Sequence, residues 1–220
     1  MTKFSKECRS VIDSAQWLLS QGYLGSELGT AGNVSVRIDG EALIAITPSG
    51  RRYQDLVPDD ISIVDFDQKM VSGNHYPSVE AAMHIGVYRT RQDVGAVVHT
   101  HQPFASVLAV INEPIPPLFD DITMTLGGIV QVIPYALSGS PELVEKVVGI
   151  ITNGCQAFLM QNHGALCIGA DIEKAIKNVA LLEKVAFVYY HALTTGKPIS
   201  ELPKETVEML YSSSKTKTSI

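Results

Sequence analysis

Apolar residues recur along this chain with helical and strand-like periods in alternation. Near the start, apolar positions from Val11 to Leu19 follow the helical period, and Gly22 ends the predicted helix. Further helices are predicted at residues 77–88, 103–110, 141–151 and 171–193, and short strands at residues 33–37, 42–47, 61–66, 95–100, 129–133 and 157–160. This interleaving predicts an α/β fold in which helices cover a sheet, and it leaves the strand order open.

Two serines are predicted to cap helices. Ser78 stands at the start of the second predicted helix, and Ser140 directly precedes the helix at 141–151. Serine hydroxyls accept hydrogen bonds from the N–H groups that a first helical turn leaves unpaired. We therefore expect Glu80 to lie in the first turn of its helix, where the helix dipole favours a carboxylate.

Length and composition favour one globular domain. The chain has 220 residues, of which 45% are hydrophobic and 18% charged, values typical of a protein with a packed core. The sequence contains no internal repeat. We predict one domain over residues 1–210, followed by a mobile tail at 211–220 that is too polar to bury.

Charge and cysteine content exclude several classes of protein. Lys and Arg total 17 and Asp and Glu 23, for a net charge of −6, so neither a nucleic acid nor an anionic membrane is an expected partner. The sequence has no apolar run of transmembrane length, and its first residues lack the apolar block of a secretory signal. Cys8, Cys155 and Cys167 form no C-x-x-C motif, which indicates a reducing compartment. We predict a soluble, cytoplasmic protein.

The sequence His99-Thr100-His101 is the sharpest chemical signal. Residues two apart on a strand project from the same face, so both imidazoles are expected to point the same way. They lie at the C-terminal end of a predicted buried strand, which is where open α/β sheets build their sites. The pair therefore indicates a metal site, although histidines in such a pattern also pack in protein cores.

His163 is the predicted third ligand. It lies in the turn at 161–164 after the last predicted strand, beside Gly164, which allows a close approach of backbone. Three neutral imidazoles with one open position are typical of catalytic zinc, and no cysteine is spaced to close the site. Of the other histidines, His75 is predicted to be solvated. His84 lies one turn after Glu80 and could support the site from behind, but a satisfied core residue is the favoured interpretation.

Glu80 is the candidate acid or base, although many glutamates at helix starts only cap the helix. Ser78 and the turns at 47–50 and 32–35 are the kind of segment that binds anions. Backbone N–H groups at glycine turns and helix starts can hold a phosphate without a lysine. The neighbours of Glu80 therefore favour a functional role for it.

Five motifs together resemble the class II aldolase/adducin family. They occur in family order over residues 10–195 and are Gly32-Asn33-Val34-Ser35-Val36-Arg37, Ile46-Thr47-Pro48-Ser49-Gly50, Pro77-Ser78-Val79-Glu80, Val97-Val98-His99-Thr100-His101 and Gln161-Asn162-His163-Gly164. The resemblance implies a single three-layer α/β/α domain and a homotetramer with its active site at the subunit interface. It implies one zinc ion per subunit, held by His99, His101 and His163. Glu80 matches the family's catalytic acid/base, and the implied phosphate pocket consists of Asn33, Ser49, Gly50 and Ser78.

The implied reaction is the cleavage of a small ketose 1-phosphate, such as L-fuculose 1-phosphate, to dihydroxyacetone phosphate and an aldehyde. Breaking the carbon–carbon bond leaves an enediolate, whose negative charge zinc stabilises as a Lewis acid. Glu80 would move the proton on and off the carbon next to the carbonyl.

Two departures from the family pattern leave the reaction open. Val79 stands where the aldolases carry a second serine, so one hydroxyl donor to the phosphate is missing. The segment 117–122 has no tyrosine at the place of the family's tyrosine acid, so Asp120 or Asp121 is a candidate proton donor, unless one of them only caps the next helix. Tyr211 is the candidate for the tyrosine that the family takes from a neighbouring subunit's C-terminal end.

These departures from the family pattern leave other functions open. A 4-epimerase, a decarboxylase or a dehydratase would use the same zinc site and the same enediolate chemistry. The family also contains adducin, a cytoskeletal binding module that has lost its metal ligands. Because the three histidines and Glu80 are all present in this chain, an enzyme is favoured.

Overall fold

Eight strands form one sheet in a computed structural model, which describes residues 3–24 and 31–216 and side chains up to residue 212. The strands are β1 (Asn33–Arg37), β2 (Leu43–Ile46), β3 (Ser62–Asp65), β4 (Met70–Ser72), β5 (Ala96–Thr100), β6 (Val132–Ile133), β7 (Ala157–Met160) and β8 (Gly164–Gly169). Their order across the sheet is β4-β3-β2-β1-β5-β8-β7-β6. Neighbouring strands are antiparallel except for β6 and β7, which are parallel.

Helices cover both faces of the sheet. Those in the described residues are α1 (Ser5–Ser20), α2 (Ala81–Thr90), α3 (Pro103–Val110), α4 (Asp120–Leu126), α5 (Pro141–Ile150), α6 (Ile172–Thr194) and α7 (Lys204–Thr216). Successive strand residues point to opposite faces, so Val98 packs in the core with α1, α3 and α6, whereas Val97 packs in the core with α2 and α5. The protein is a three-layer α/β/α domain, as predicted.

The second predicted helix begins later than its pattern indicates. Pro77 and Ser78 are extended because they pair with the turn that follows β2, and the Ser78 N–H donates to the Thr47 carbonyl at 3.0 Å. α2 therefore begins at Ala81, with Glu80 as its N-cap. The Ser78 hydroxyl accepts from the Glu80 N–H at 3.3 Å. The predictions that Ser78 caps this helix and that Glu80 lies inside its first turn are wrong, because tertiary pairing holds residues 77–78 in an extended conformation.

Most other boundaries agree with the pattern to within a few residues. Ser140 caps α5 as predicted, accepting from the Leu143 N–H at 3.2 Å. The strand predicted at 129–133 is shorter than expected, because only Val132 and Ile133 pair with β7. The pattern misses β4, β8 and α7. β4 is a three-residue edge strand, and β8 is buried along its whole length and so shows no alternation.

The C-terminal helix α7 crosses the predicted domain boundary at residue 210. It packs against α4, and the Tyr211 hydroxyl donates to the Asn153 carbonyl at 3.0 Å. Residues 211–216 of the segment predicted as a tail are therefore helical. Residues 217–220 of that segment lie outside the described residues.

None of the described helices is long and apolar enough to cross a membrane. The three cysteines all lie in the described part of the chain, and they are buried and free of disulfides, as their number and spacing predicted. Burial raises the pKa of the Cys8 thiol to about 11, so this thiol is protonated and weakly nucleophilic at pH 7.

Candidate active site

The antiparallel order of the sheet gathers the predicted site residues at one edge. β1 is antiparallel to both β2 and β5, so Asn33 at its start lies beside the ends of those strands, directly opposite His99. β8 is antiparallel to β5 and β7, which brings the β7–β8 turn with His163 to the same edge. The edge therefore combines strand starts with strand ends, whereas the sequence pattern placed His99 and His101 only at the C-terminal end of their own strand.

Three histidine rings converge at this edge. One ring nitrogen from each of His99, His101 and His163 lies within 4.8 Å of the others. The Nε2 atoms of His99 and His101 are 3.0 Å apart, and the ring centroids lie between 4.5 and 5.4 Å from one another. The structure thus brings together the three predicted metal ligands.

The chemistry of this donor set fits a metal ion. His99 Nδ1 lies 2.9 Å from the Ala165 carbonyl oxygen, so Nδ1 carries the proton and Nε2 presents its lone pair to the other rings. Burial lowers the pKa of His99 and that of His101, which keeps both rings neutral at pH 7. Converging neutral imidazoles are the ligands that a divalent transition metal accepts.

Glu80 is buried beside the three rings, with only 3% of its surface exposed. Its Oε2 atom accepts a hydrogen bond from Asn33 Nδ2 at 2.8 Å, and its Oε1 atom accepts one from Ser138 Oγ at 2.8 Å. The Nε2 atoms of His99 and His163 each lie 3.4 Å from the carboxylate. The carboxylate is therefore held in one orientation, against two of the imidazoles.

The surroundings of Glu80 favour its ionised form. Burial alone would raise the pKa of the carboxyl, but electrostatic interaction with the His99 and His163 rings and the hydrogen bonds from Asn33 and Ser138 bring it below its ordinary value. Its place at the N-cap of α2 adds the positive end of the helix dipole. Glu80 is thus a carboxylate at pH 7, the form that accepts a proton.

Ser138 is a site residue that sequence reasoning missed. It lies in the loop after β6, and the pairing of β6 with β7 carries this loop to the site edge. The Ser-Gly-Ser run at 138–140 is a recognisable turn signal. Only the strand order, which the sequence left open, connects this turn with Glu80.

The four predicted phosphate residues line one pocket together with the histidines and Glu80. The pocket has a volume of about 170 Å³, and its wall includes Asn33, Ser49, Gly50 and Ser78. Gly50 has a φ of +67°, a conformation that glycine adopts most readily. The described lining residues include neither lysine nor arginine, so this wall offers an anion amide, hydroxyl and backbone donors.

Val79 lines the same pocket and is 67% exposed. Its isopropyl group occupies the wall next to Ser78, where a serine would present a hydroxyl. The structure therefore places the departure from the family pattern inside the pocket itself.

The predicted second proton donors lie elsewhere in the chain. Asp120 and Asp121 are exposed in the first turn of α4, and the N-cap of that helix is Phe119, which makes no side-chain cap hydrogen bond. The interpretation that an aspartate caps this helix is therefore wrong. The described pocket lining includes neither aspartate and does not include Tyr211. Their catalytic roles stay predictions that depend on a neighbouring subunit.

Two histidines outside the cluster have polar partners. His75 Nε2 lies 3.0 Å from Asp60 Oδ1, so His75 is paired, not merely solvated as predicted. His84 is fully buried and hydrogen-bonds to Asn33 and Ser35. The prediction of a satisfied core histidine is confirmed, and the structure adds that one of its partners is a pocket residue.

Gly164 is a position where a side chain would disturb the histidine cluster. A Cβ atom there would collide with the Thr100 carbonyl oxygen and lie 3.1 Å from the His101 ring and 3.3 Å from the His99 ring. We expect Gly164→Ala to weaken Zn²⁺ binding by about tenfold or more, the usual effect of displacing the support of a ligand. Competition with a chelator of known affinity measures this change.

Gly149→Ala is the matched control for this substitution. Gly149 lies in α5, where an added Cβ meets nothing within 4 Å, so alanine should leave Zn²⁺ affinity unchanged and raise helix stability. Equal Zn²⁺ affinity of Gly164→Ala and the wild type would show that the ligands do not depend on the close approach of this backbone.

Comparisons with known proteins agree with the chemistry of the site. A 5-methylthioribulose-1-phosphate/5-deoxyribulose-1-phosphate aldolase from Rhodospirillum rubrum is 36% identical over 206 residues, which cover 94% of this chain and 90% of that protein. An L-fuculose phosphate aldolase from Escherichia coli is 34% identical over 212 residues, covering 96% of this chain and 95% of the relative. A solved structure of L-fuculose 1-phosphate aldolase is 32% identical with a TM-score of 0.88, covering 96% of this chain and 97% of that one. Fold, site and relatives together define a carbon–carbon lyase of the aldolase type.

A match along most of the chain shows the family. The family model described as "Class II Aldolase and Adducin N-terminal domain" matches residues 11–190. The chain belongs to this family, which confirms the resemblance seen in its motifs. With aldolases among its relatives and three converging histidines that could hold a metal ion, it is a class II aldolase, and the interpretation as a non-enzymatic binding module is disfavoured.

Proposed function

We propose that this protein is a zinc-dependent aldolase that cleaves a small ketose 1-phosphate, such as L-fuculose 1-phosphate, to dihydroxyacetone phosphate and an aldehyde. One observation carries the proposal. The Glu80 carboxylate lies 3.4 Å from Nε2 of both His99 and His163, in a pocket whose wall also presents hydroxyl and amide donors. The candidates for a proton-transfer group, a metal-ligand set and an anion site therefore line one pocket.

His99, His101 and His163 would hold the zinc ion. When bound, zinc supplies Lewis-acid stabilisation of the negative charge that develops on substrate oxygen during cleavage. The protein's part is to hold the three imidazoles together and to keep His99 neutral, which the burial of His99 and its hydrogen bond to the Ala165 carbonyl support.

Glu80 would transfer the proton. Cleavage removes a proton from the substrate hydroxyl beside the breaking carbon–carbon bond and leaves electron density on the carbon next to the carbonyl, which must gain a proton before the three-carbon product departs. The Glu80 carboxylate is ionised, so it would first accept a proton and then deliver it to that carbon. Its fixed orientation, set by Asn33 and Ser138, supports transfer at one atom.

Asn33, Ser49, Gly50 and Ser78 would bind the phosphate. Hydrogen bonds from neutral donors to a dianion are individually strong, because one partner is charged. Val79 removes one such donor, so phosphate binding here relies on fewer hydroxyls than in aldolases with two serines.

We also propose that the active site is completed in a homotetramer. Exposed apolar side chains surround the pocket: Tyr76 is 85%, Val79 67% and Leu137 68% exposed. Such a patch supports burial against a second copy of the chain, which would bring Asp121 or Tyr211 to the site as the second proton donor. Light scattering that gives the mass of four chains supports the assembly, and a monomer mass contradicts it.

A cytoplasmic location is supported by the three free cysteines.

The function is tested with purified protein of known metal content. Zn²⁺-loaded enzyme is incubated with L-fuculose 1-phosphate, with 5-deoxyribulose 1-phosphate and with the corresponding unphosphorylated ketoses. We expect release of dihydroxyacetone phosphate, followed by a coupled glycerol-3-phosphate dehydrogenase assay, from a phosphorylated ketose only. NMR of the same mixtures identifies any epimerised, decarboxylated or dehydrated product. A metal-loaded protein that cleaves no ketose 1-phosphate, or that rearranges one without cleavage, overturns the proposal.

A further inference from the structure

A buried chain of hydrogen bonds runs from the active site into the core behind Glu80. It joins the side chains of Glu80, Asn33, His84, Ser35 and Tyr88, each of which is at most 4% exposed. The chain links the start of β1 with α2 across the site edge of the sheet. Glu80 and Asn33 face the pocket, whereas His84 is not among the described pocket-lining residues.

The direction of each hydrogen bond follows from the donors and acceptors available. The Glu80 carboxylate only accepts, so Asn33 donates to it through Nδ2 at 2.8 Å. Asn33 Oδ1 then has to be the acceptor toward His84, and His84 Nε2 has to carry the proton. A neutral His84 in this tautomer has a bare Nδ1, which accepts from the Ser35 hydroxyl at 2.7 Å.

The neutral state of His84 is itself supported by its surroundings. The ring is fully buried, and this burial lowers the pKa of His84 to about 4. At pH 7 the ring therefore has one N–H group, and the hydrogen bonds above place that group on Nε2.

An asparagine amide has nearly the same shape in its two flipped orientations, so its hydrogen-bond partners determine which orientation is adopted. In the observed orientation, Nδ2 points to Glu80 and belongs to the pocket wall. In the flipped orientation, Oδ1 would face the Glu80 carboxylate and the pocket, repelling the carboxylate and any bound anion. The Glu80 carboxylate on one side and the donor that faces Asn33 Oδ1 on the other together hold the amide in the observed orientation.

We propose that His84 is a positioning residue of the active site, whose Nε2–H fixes the Asn33 amide so that Nδ2 serves both Glu80 and the anion in the pocket. The part that concerns the substrate phosphate rests on the proposed function. The part that concerns the tautomer and the amide orientation does not, and it is tested separately.

Nitrogen NMR tests the tautomer without any substrate. Long-range ¹H–¹⁵N correlation spectra of the Zn²⁺-loaded protein at pH 7 should show His84 protonated at Nε2 and bare at Nδ1. A ring protonated at Nδ1, or a doubly protonated ring, overturns the proposal, even if no ketose phosphate is ever cleaved.

Inorganic phosphate and a ketose 1-phosphate test the effect on the pocket. We expect His84→Leu to weaken phosphate binding and to lower kcat/KM on the order of 10–100-fold, through both a raised KM and a lowered kcat. His84→Gln keeps an amide donor toward Asn33 and should recover most of this loss. The two substitutions should be coupled. In an Asn33→Ala background, His84→Leu should lower kcat/KM by less than about threefold.

Tyr88→Phe is the matched control, since it removes a buried hydroxyl from the same helix and leaves the hydrogen bond from His84 to Asn33 intact. It should lower the melting temperature and leave kcat/KM within about twofold of the wild type. Equal losses of kcat/KM in Tyr88→Phe and His84→Leu would assign His84 a purely structural role. So would an undiminished loss of kcat/KM when His84→Leu is added to Asn33→Ala. If His84→Leu does not fold, the His84→Gln variant and the tautomer decide the question.

Discussion

Replacing His99 by alanine is expected to abolish Zn²⁺ binding at micromolar metal and to lower kcat/KM by about a thousandfold or more, equivalent to about 4 kcal/mol of lost transition-state stabilisation. His99 is the central ligand of the cluster, because its Nε2 lies 3.0 Å from that of His101 and its orientation is fixed by the Ala165 carbonyl. Two imidazoles alone hold zinc weakly, and without the cation no strong Lewis acid remains in the pocket. Metal analysis by mass spectrometry and the coupled cleavage assay measure both effects.

His191→Ala is the control for this prediction. His191 is an exposed histidine of α6 that stacks on Phe187, and it is not among the described pocket-lining residues. It should retain full metal content and activity. A His99→Ala protein that melts cooperatively and still binds one Zn²⁺ per chain would rule out the three-histidine centre.

Glu80→Gln is expected to lower kcat by about 10²–10⁴-fold, the usual contribution of a general acid or base, while Zn²⁺ content and KM change little. Glutamine has the same shape as glutamate and can still accept from Asn33, so the pocket wall stays in place. What it loses is the ability to accept and return a proton. Steady-state kinetics together with metal analysis separate this loss from a loss of the metal.

Glu173→Gln is the matched control for Glu80→Gln. Glu173 occupies the first turn of α6 and is exposed, so Glu173→Gln removes a dipole-stabilising charge of the kind that often has no further role. Its kcat should be unchanged. If Glu80→Gln kept its activity to within a few-fold, Glu80 would be a capping residue only, and the proton would have to move through another group.

Local rules were sufficient for two of the three candidate metal ligands. His99 and His101 are two residues apart on a strand, so their shared face follows from the pleat alone. His163 required the further inference that the turn after the last predicted strand reaches the same edge. In the structure this depends on the antiparallel pairing of β8 with β5 and β7, which no local pattern contains.

Contacts between distant segments could not be predicted from the sequence pattern. Ser78 is a residue type that often caps helices, yet its N–H pairs with Thr47, so α2 begins four residues later than the predicted start at residue 77. Ser138 reaches Glu80 only because β6 pairs with β7 at the far side of the sheet. No periodicity within a single segment contains the information about either pairing.

His84 shows the same limit of sequence-based prediction for a buried residue. Its spacing of four residues from Glu80 places both at the start of α2, and this much is visible in the sequence. Its partner Asn33 lies 51 residues away, at the start of β1. The sequence could therefore identify a buried histidine, and only the tertiary structure gives it a neighbour in the pocket.

The assembly of the pocket from separate turns on antiparallel ladders has an evolutionary consequence. Asn33, His99 and His163 lie at the ends of neighbouring ladders of one sheet, β1–β5, β5–β8 and β7–β8. The segment at 47–50 and the loop after β6 lie outside these ladders, so substitutions there can change anion binding and the setting of Glu80 while the imidazoles keep their places. Changes in substrate preference are therefore expected to accumulate in these two loops during evolution.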